Sequence, residues 1–323
     1  MSGRIDVAVI GLGVMGQRML ARLADHPRLR ARVAWDASAA AVEAARREHP
    51  ALEVAAGVEA AIAAPGLACL YIATPPAAHM TLAEQAFDRG LAVFCEKPLT
   101  VDFAHARRVI ARIEAERRRA AVNFSLASSP GLAAIEAALA DGSIGVPQRV
   151  EIEVAFAEWP RAWQAAAGAW LAERREGGFT REVLSHFVFV LQRALGPAAV
   201  EAARPDYPGD GRSAERRIEA RLTAGGVPIA ISGRVGGDLP DFNRMTVSGS
   251  KGAVELHDWF GLRRRDGSGA ATAQGTPQDN RQLGQARQLN QLEAMIEGRP
   301  HTLPSFAEAL AVQETIEALL RGK

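Results

Sequence analysis

The sequence predicts an α/β protein in two parts: an N-terminal Rossmann domain on a doubly wound parallel sheet, and a C-terminal α+β domain with a large, open, mostly antiparallel sheet. Two observations predict it. From residue 5 to about 124, short apolar runs alternate with Ala-rich helical segments, the rhythm of βαβ units. Beyond that point apolar and polar residues alternate between turn-rich segments, as in antiparallel strands with one covered face. The division is placed between residues 123 and 124, giving the parts 1–123 and 124–323.

Each element follows from its local pattern. IDVAVIG opens the first sheet, a helix follows near 14–24, then ARVAWD, a helix near 38–48, LEVAA and a helix near 57–63. The series continues with LACLYIAT, a helix near 79–89, LAVFCEKP, a helix near 102–118, and AAVNFS. LACLYIAT is apolar on both faces, which suits a central parallel strand covered by helices. In the second part the predicted strands are RVEIEVAFAEW (149–159), RIEARLTA (217–224), PIAISGRVGG (228–237) and NRMTVSGSKGAVELHDW (243–259). PDYPGDGRS (205–213) and DGSGAATAQGTPQDN (266–280) read as turn-rich connections, the second mobile. Helices near 281–297 and 305–321 close the chain, punctuated by GRP and LPS.

Bulk properties narrow the function. The 323 residues suffice for two cores, and 38 Lys and Arg against 37 Asp and Glu leave a formal net charge of +1. Such a balance offers no global field for nucleic acid or an anionic membrane. The basic runs at 116–120, 173–177 and 262–267 are short, lack interleaved aromatics, and read as solvated helix ends and turns. Cys69 and Cys95 both lie inside apolar runs, so neither a disulfide framework nor a metal site is expected. The first residues enter a strand with no charged-then-apolar leader, and no run of about 18 apolar residues occurs. The expectation is a cytoplasmic protein acting on a small molecule.

The chemistry concentrates at strand ends. VAVIGLGVMGQRML places Gly11, Gly13, Val14, Met15 and Gly16 between a strand and a helix. The first glycine permits the tight turn, the second lets backbone approach a pyrophosphate, and the third lets helix and strand pack closely. Asp36 closes the second strand, where a carboxylate bonds the ribose hydroxyls of NAD and repels the 2′-phosphate of NADP. NAD(H) is therefore preferred, with NADP(H) left open. The ends of the next central strands carry Thr74, Pro75 and His79, then Glu96 and Lys97, all beyond the carboxyl edge where ligands lie. Read from pattern alone, Glu96 and Lys97 fit equally well as an exposed ion pair. Lys97 before Pro98 admits a cis peptide.

These motifs, together with EKPL, SGSKGAVEL and the tail QLNQLEAMIEGRPHTLPSFAEALAVQETIEAL, resemble the Gfo/Idh/MocA family, the glucose-fructose oxidoreductase and inositol dehydrogenase group. The resemblance runs along essentially the whole chain. It implies a Rossmann domain followed by an α/β domain whose open sheet forms a homodimer or homotetramer, with Lys97 as a catalytic and binding residue. A second family motif, with an aspartate and a histidine, falls on GGFTREVLSH and implies Glu182 and His186 as its counterparts, with Leu184 in place of a glycine. An arginine expected in the family after residue 122 is replaced by Ala127.

On an α-helix, residues four apart share a face, so Glu182 and His186 are expected to look into one cleft while Phe187, Val190 and Leu191 pack. A histidine at such a place is otherwise an ordinary core residue. The expected reaction is reversible hydride transfer with a hydroxyl-bearing carbon, His186 handling the proton, Lys97 steadying the oxygen and Glu182 tuning His186. Trp159, Trp163 and Trp170 form a candidate substrate wall, their alternative role being domain packing, and Asn123 is a further substrate candidate. Two other readings fit the fold: NAD-assisted elimination, glycoside cleavage or imine reduction, and an NAD(H)-binding regulator without turnover.

Overall fold

The first sheet forms where the sequence alternates short buried runs with Ala-rich helices. In a computed structural model that describes residues 3–238 and 240–322, it has six parallel strands: β1 (Ile5–Ile10), β2 (Leu29–Trp35), β3 (Glu53–Val54), β4 (Leu67–Ile72), β5 (Ala92–Glu96) and β6 (Ala120–Asn123). Their order is β3-β2-β1-β4-β5-β6, so the winding reverses beside β1 and β4, where an open α/β sheet binds its ligand. The connecting helices are α1 (Val14–Asp25), α2 (Ala39–Glu48), α3 (Val58–Ile62), α4 (His79–Asp88) and α5 (Phe103–Glu116). Val7, Val9, Cys69, Tyr71 and Phe94 make the centre of this core. Burial pushes the Cys69 thiol up to about 12 and raises Cys95 too, as expected of inert core thiols.

The chain divides into two compact units, Met1–Phe124 with Gln288–Leu310, and Ser125–Arg287 with Ala311–Lys323. The first unit is thus not contiguous in sequence. Leu289, Leu292, Met295, Ile296 and Leu303 pack into the same core as Val7 and Tyr71, so segment 288–310 supplies apolar cover that the sheet needs. Arg28 ties this segment back through Glu293, 3.2 Å away, and Glu297.

The second unit holds α6 (Pro130–Ala140), α7 (Ser185–Leu195) and an eight-stranded sheet. Its strands are β7 (Pro147–Phe156), β8 (Ala198–Asp206), β9 (Arg217–Ala224), β10 (Val227–Val235), β11 (Phe242–Gly249), β12 (Gly252–His257), β13 (Gly261–Asp266) and β14 (Ala271–Ala273). Their order is β14-β13-β12-β11-β7-β10-β9-β8, and only β7 with β10 runs parallel. Helices α8 (Pro277–Ile296) and α9 (Phe306–Arg321) close the chain. One sheet face is apolar and buried, including Ile152, Ile229, Ile231, Met245 and Val254. The opposite face carries charged pairs such as Arg244 with Glu153 (2.5 Å) and Arg263 with Glu255 (3.3 Å).

Several elements differ from the sequence expectation: α6 was not predicted, and the basic run 262–267, read as a solvated helix end or turn, forms most of strand β13. Strand β8 was not predicted, because AAVEAARPD reads as helix-forming; its pairing with β9 overrides that propensity. The segment 266–280, expected to be a mobile connection, contains the edge strand β14 and the start of α8. Asp266 accepts hydrogen bonds from the backbone N–H groups of Ser268 and Ala270, which orders the turn into β14. Finally, residues Thr180–Leu184 form a π-helical turn before α7, with the Ser185 N–H reaching the Thr180 carbonyl.

Candidate functional site

In the first unit the Gly-rich turn is fixed by backbone contacts. Gly11 sits at φ +96°, and a Cβ there would stand 2.4 Å from the Ala73 carbonyl oxygen. At Gly16 a Cβ would stand 1.9 Å from the Gly11 oxygen, so α1 lies directly on the turn. Gly13 is different: a Cβ added there would meet nothing within 4 Å. It is the N-cap of α1, no side chain caps the helix, and no acidic residue lies in its first turn. Val14 and Met15 begin that turn and are half-buried. Uncapped N–H groups beside open space are what a pyrophosphate requires.

Asp36 closes the other side of the turn. One carboxylate oxygen accepts from the Leu12 N–H at 2.6 Å and the other from the Ser38 N–H at 2.7 Å. This holds the carboxylate at the end of β2, and each oxygen keeps lone-pair capacity for a ribose hydroxyl. Thr74 lies half-buried just past β4, and its hydroxyl has no hydrogen-bond partner among the described residues. A buried hydroxyl left without a partner fits a bound polar group. The open space over Gly13 and the Thr74 hydroxyl both suit a dinucleotide; Asp36 and the N–H groups of α1 would hold it.

Neighbouring strand ends form a buried polar network. Pro75 is exposed, whereas His79 is fully buried and its ring nitrogens face the Thr74 carbonyl at 2.8 Å and the Leu99 carbonyl at 3.2 Å. Burial lowers its pKa. His79 therefore joins two strand-end loops. Glu96 is 3% exposed and so is not the surface ion-pair partner that its pattern also allowed. Its Oε1 accepts from the Tyr71 hydroxyl and from the Asn123 amide, the latter at 2.6 Å. Asn123 in turn accepts from Gln288 at 2.7 Å. Burial raises the Glu96 pKa, opposed by the Tyr71 hydrogen bond and the nearby Lys97 charge. Lys97 is half-buried at the end of β5, and its bond to Pro98 is cis.

In the second unit Glu182 lies in the π turn, half-buried, and His186 lies in the first turn of α7, 5% exposed. The π turn closes i→i+5, a wider spiral in which residues four apart still fall close to one face. Phe187, Val190 and Leu191 are fully buried, as expected, and so is Leu184. Arg181 holds the π turn in place. Its guanidinium makes a two-pronged bond to Glu317 (2.6 and 2.9 Å) and donates to the Arg174 and Gly177 carbonyls.

The aromatic residues gather beside His186. Trp259 packs edge-on to the His186 ring, and Phe187 lies 5.9 Å from the same indole. Trp259 was missed in the sequence because it was assigned to the end of a strand; it lies in the β12–β13 turn with φ +69°. Of the candidate wall, Trp159 donates its indole N–H to the Leu171 carbonyl at 2.9 Å, and Trp163 is 46% exposed. No group of three or more potential metal ligands occurs among the described residues. No helix among them is long and apolar enough to cross a membrane.

The fold and the glycine turn define an NAD-binding Rossmann protein. Residues 5–124 match the family described as "Oxidoreductase family, NAD-binding Rossmann fold", Gfo/Idh/MocA. Residues 5–124 thus resemble the NAD-binding domain of this oxidoreductase family. An inositol 2-dehydrogenase of Streptomyces avermitilis is 36% identical over 157 residues, which are 46% of this chain and 43% of that one. Another, from Rhizobium meliloti, is 27% identical over 77% of this chain and 74% of that one. The chain thus spans less than half the length of the first of these relatives. A crystal structure of an oxidoreductase from Agrobacterium radiobacter, in complex with NAD+, L-tartaric acid and magnesium, has the same fold. Its TM-score is 0.84 at 18% identity, over 98% of this chain and 96% of that one.

Proposed function

We propose that the protein is an NAD(H)-dependent dehydrogenase acting on a hydroxyl-bearing carbon of a small molecule, a sugar, cyclic polyol or derivative. The observation that carries this reading is the dinucleotide cradle of Gly11, Gly13, Gly16 and Asp36 with Lys97 at the carboxyl end of the same sheet. The names of the inositol 2-dehydrogenases it resembles support a polyol.

Bound NAD supplies the hydride acceptor, or the hydride in the reverse direction. Lys97 binds the substrate oxygen and stabilises the negative charge that develops on it. His186 takes the hydroxyl proton as general base and returns it in the reverse direction. Glu182 tunes His186 or grips a neighbouring hydroxyl. Thr74, Pro75, Val14 and Met15 line the cofactor, while His79 and Glu96 hold the loops that carry it. Asn123 acts through Glu96. We place the protein in the cytoplasm, as a homodimer or homotetramer contacting through the charged face of its eight-stranded sheet.

The test is turnover of NAD+ with a panel of polyols, comparing wild type with Lys97→Ala and His186→Ala. Each variant is expected to lower kcat by at least about 10²-fold while NAD affinity changes little. Unaltered turnover in both would remove the assignment.

A further inference from the structure

Four polar side chains meet where the strands of the first sheet end: Tyr71 on β4, Glu96 on β5, Asn123 on β6 and Gln288 on α8. Each is 3% exposed or less. Asn123 is the register partner of Glu96 across the two strands. Polar groups buried this deeply are tolerated only when each finds its partner, so the direction of every hydrogen bond in the chain matters.

That direction is set at one end by the main chain. The carbonyl of Phe124 can only accept, so Gln288 turns its amide nitrogen toward it, at 3.4 Å, and the same nitrogen donates to Asn123 Oδ1 at 2.7 Å. With its oxygen so engaged, Asn123 presents its nitrogen to Glu96 Oε1 at 2.6 Å and to the Tyr71 hydroxyl at 3.3 Å. Tyr71 donates to the same Glu96 oxygen. The chain therefore converges on Oε1, and two donors on one oxygen favour the carboxylate against burial. An Asn123 amide turned over would set its oxygen against that carboxylate, and neither could donate.

Glu96 is the last residue of β5, and Lys97 follows it. Lys97 and Arg22 on α1 are the positive charges that bear on Glu96, and both favour its ionised form. Burial, and then this carboxylate, raise the Tyr71 hydroxyl and the Cys95 thiol beside it, so neither competes for the negative charge. We propose that Gln288 is a positioning residue for Lys97: by fixing the amide of Asn123 it keeps two donors on the Glu96 carboxyl, and so keeps a carboxylate at the root of the lysine. The proposal rests on the dehydrogenase reading above, in which Lys97 binds the substrate oxygen, and adds to it a residue from α8.

The test replaces the amide by an apolar chain of similar length, Gln288→Met, in the full protein. Carbon-13 labelling of the glutamate carboxyls reads where Glu96 titrates, with Glu96→Gln identifying its signal. In Gln288→Met, Glu96 is expected to hold its proton to a pH higher by about one unit, because a hydrogen bond to its charged form is lost. Asn123→Ala should act in the same direction, and the two changes together should do no more than the larger alone, since both act through one bond. Additive effects, or an unmoved titration, overturn the proposal. At a pH between the wild-type and Gln288→Met midpoints, Lys97 should react with acetic anhydride at least about threefold faster in the variant, relative to Lys251, because the charge that holds its proton is gone. Equal labelling also overturns it. Where polyols are oxidised, kcat/KM should fall about tenfold with the NAD Kd within about twofold, and the acid limb of its pH profile should move up with Glu96. A fall with an unmoved limb marks a merely structural role and overturns the proposal. If no polyol is oxidised, the dehydrogenase reading fails by itself, while titration and labelling still decide the role of Gln288. Should Gln288→Met not fold, Gln288→Asn, whose amide falls a methylene short, carries the same expectations.

Discussion

The indole of Trp259 stands edge-on to the imidazole of His186, with ring centroids 5.5 Å apart and planes at 83°. Such an edge-to-face pair contributes about 0.5–1.5 kcal/mol beyond area burial, enough to fix a ring orientation. Trp259 reaches this place through an unfavourable backbone, φ +69°, next to Asp258 at φ +47°. A bulky residue there costs about 1–3 kcal/mol and persists only where the surroundings impose it. Here Asn243 does so: its carbonyl accepts from the Asp258 N–H at 3.0 Å and its side chain from the Trp259 N–H at 2.7 Å. Trp259 is thus a positioning residue for His186. Trp259→Leu is expected to lower kcat by about 10- to 100-fold with the KM for NAD unchanged, and Trp259→Phe to restore most of it. Steady-state kinetics check this; a Phe variant no better than Leu would show that the ring edge does not matter.

Two glycines of the first turn, Gly13 and Gly16, should separate folding from cofactor binding. A methyl at Gly16 collides with backbone 1.9 Å away, whereas one at Gly13 enters open space. Gly16→Ala is therefore expected to destabilise by roughly 1–3 kcal/mol or more, as an overpacked site that backbone cannot relieve. Gly13→Ala should melt close to wild type yet bind NAD at least about tenfold more weakly, because its methyl stands where the pyrophosphate approaches the N–H groups of α1. Calorimetric titration with NAD beside a thermal melt distinguishes them. Similar losses of stability and affinity in both variants would mean that the open space at Gly13 is not the phosphate site.

Local chemistry made much of this legible. Gly11, Gly16 and Asp36 act within one strand-helix-strand unit, where backbone sterics and a short chain separation fix the outcome, so their pattern carries the geometry. The parallel sheet was legible for the same reason: both faces of LACLYIAT are apolar. The rest depended on distant contacts. Trp259 meets His186 only because a hairpin turn adopts left-handed backbone. The π turn at 180–184, just before His186, is announced by no composition signal. Segment 288–310 reads as an ordinary amphipathic tail, yet Leu289 and Met295 complete the first core.

The buried carboxyl of Glu96 gives a pH dependence whose sign is fixed. Burial raises its pKa above the ordinary carboxylate value, and the Tyr71 hydrogen bond, the Lys97 charge and the Asn123 hydrogen bond oppose the rise without cancelling it. The folded protein therefore holds this proton at pH values where the unfolded chain has released it. The stability this adds is full below about pH 4.5, the unfolded range, and is lost as pH rises through the folded pKa, with a slope of at most about 1.4 kcal/mol per pH unit. Glu96→Gln keeps an oxygen to accept from Tyr71 and Asn123 but cannot titrate. Its stability relative to wild type should therefore climb with pH across that window and then level off. Urea unfolding of both proteins from pH 4 to pH 8 measures the difference directly. A difference that stays flat, or that shifts in favour of wild type as pH rises, would show that the folded protein does not hold the Glu96 proton beyond the unfolded range.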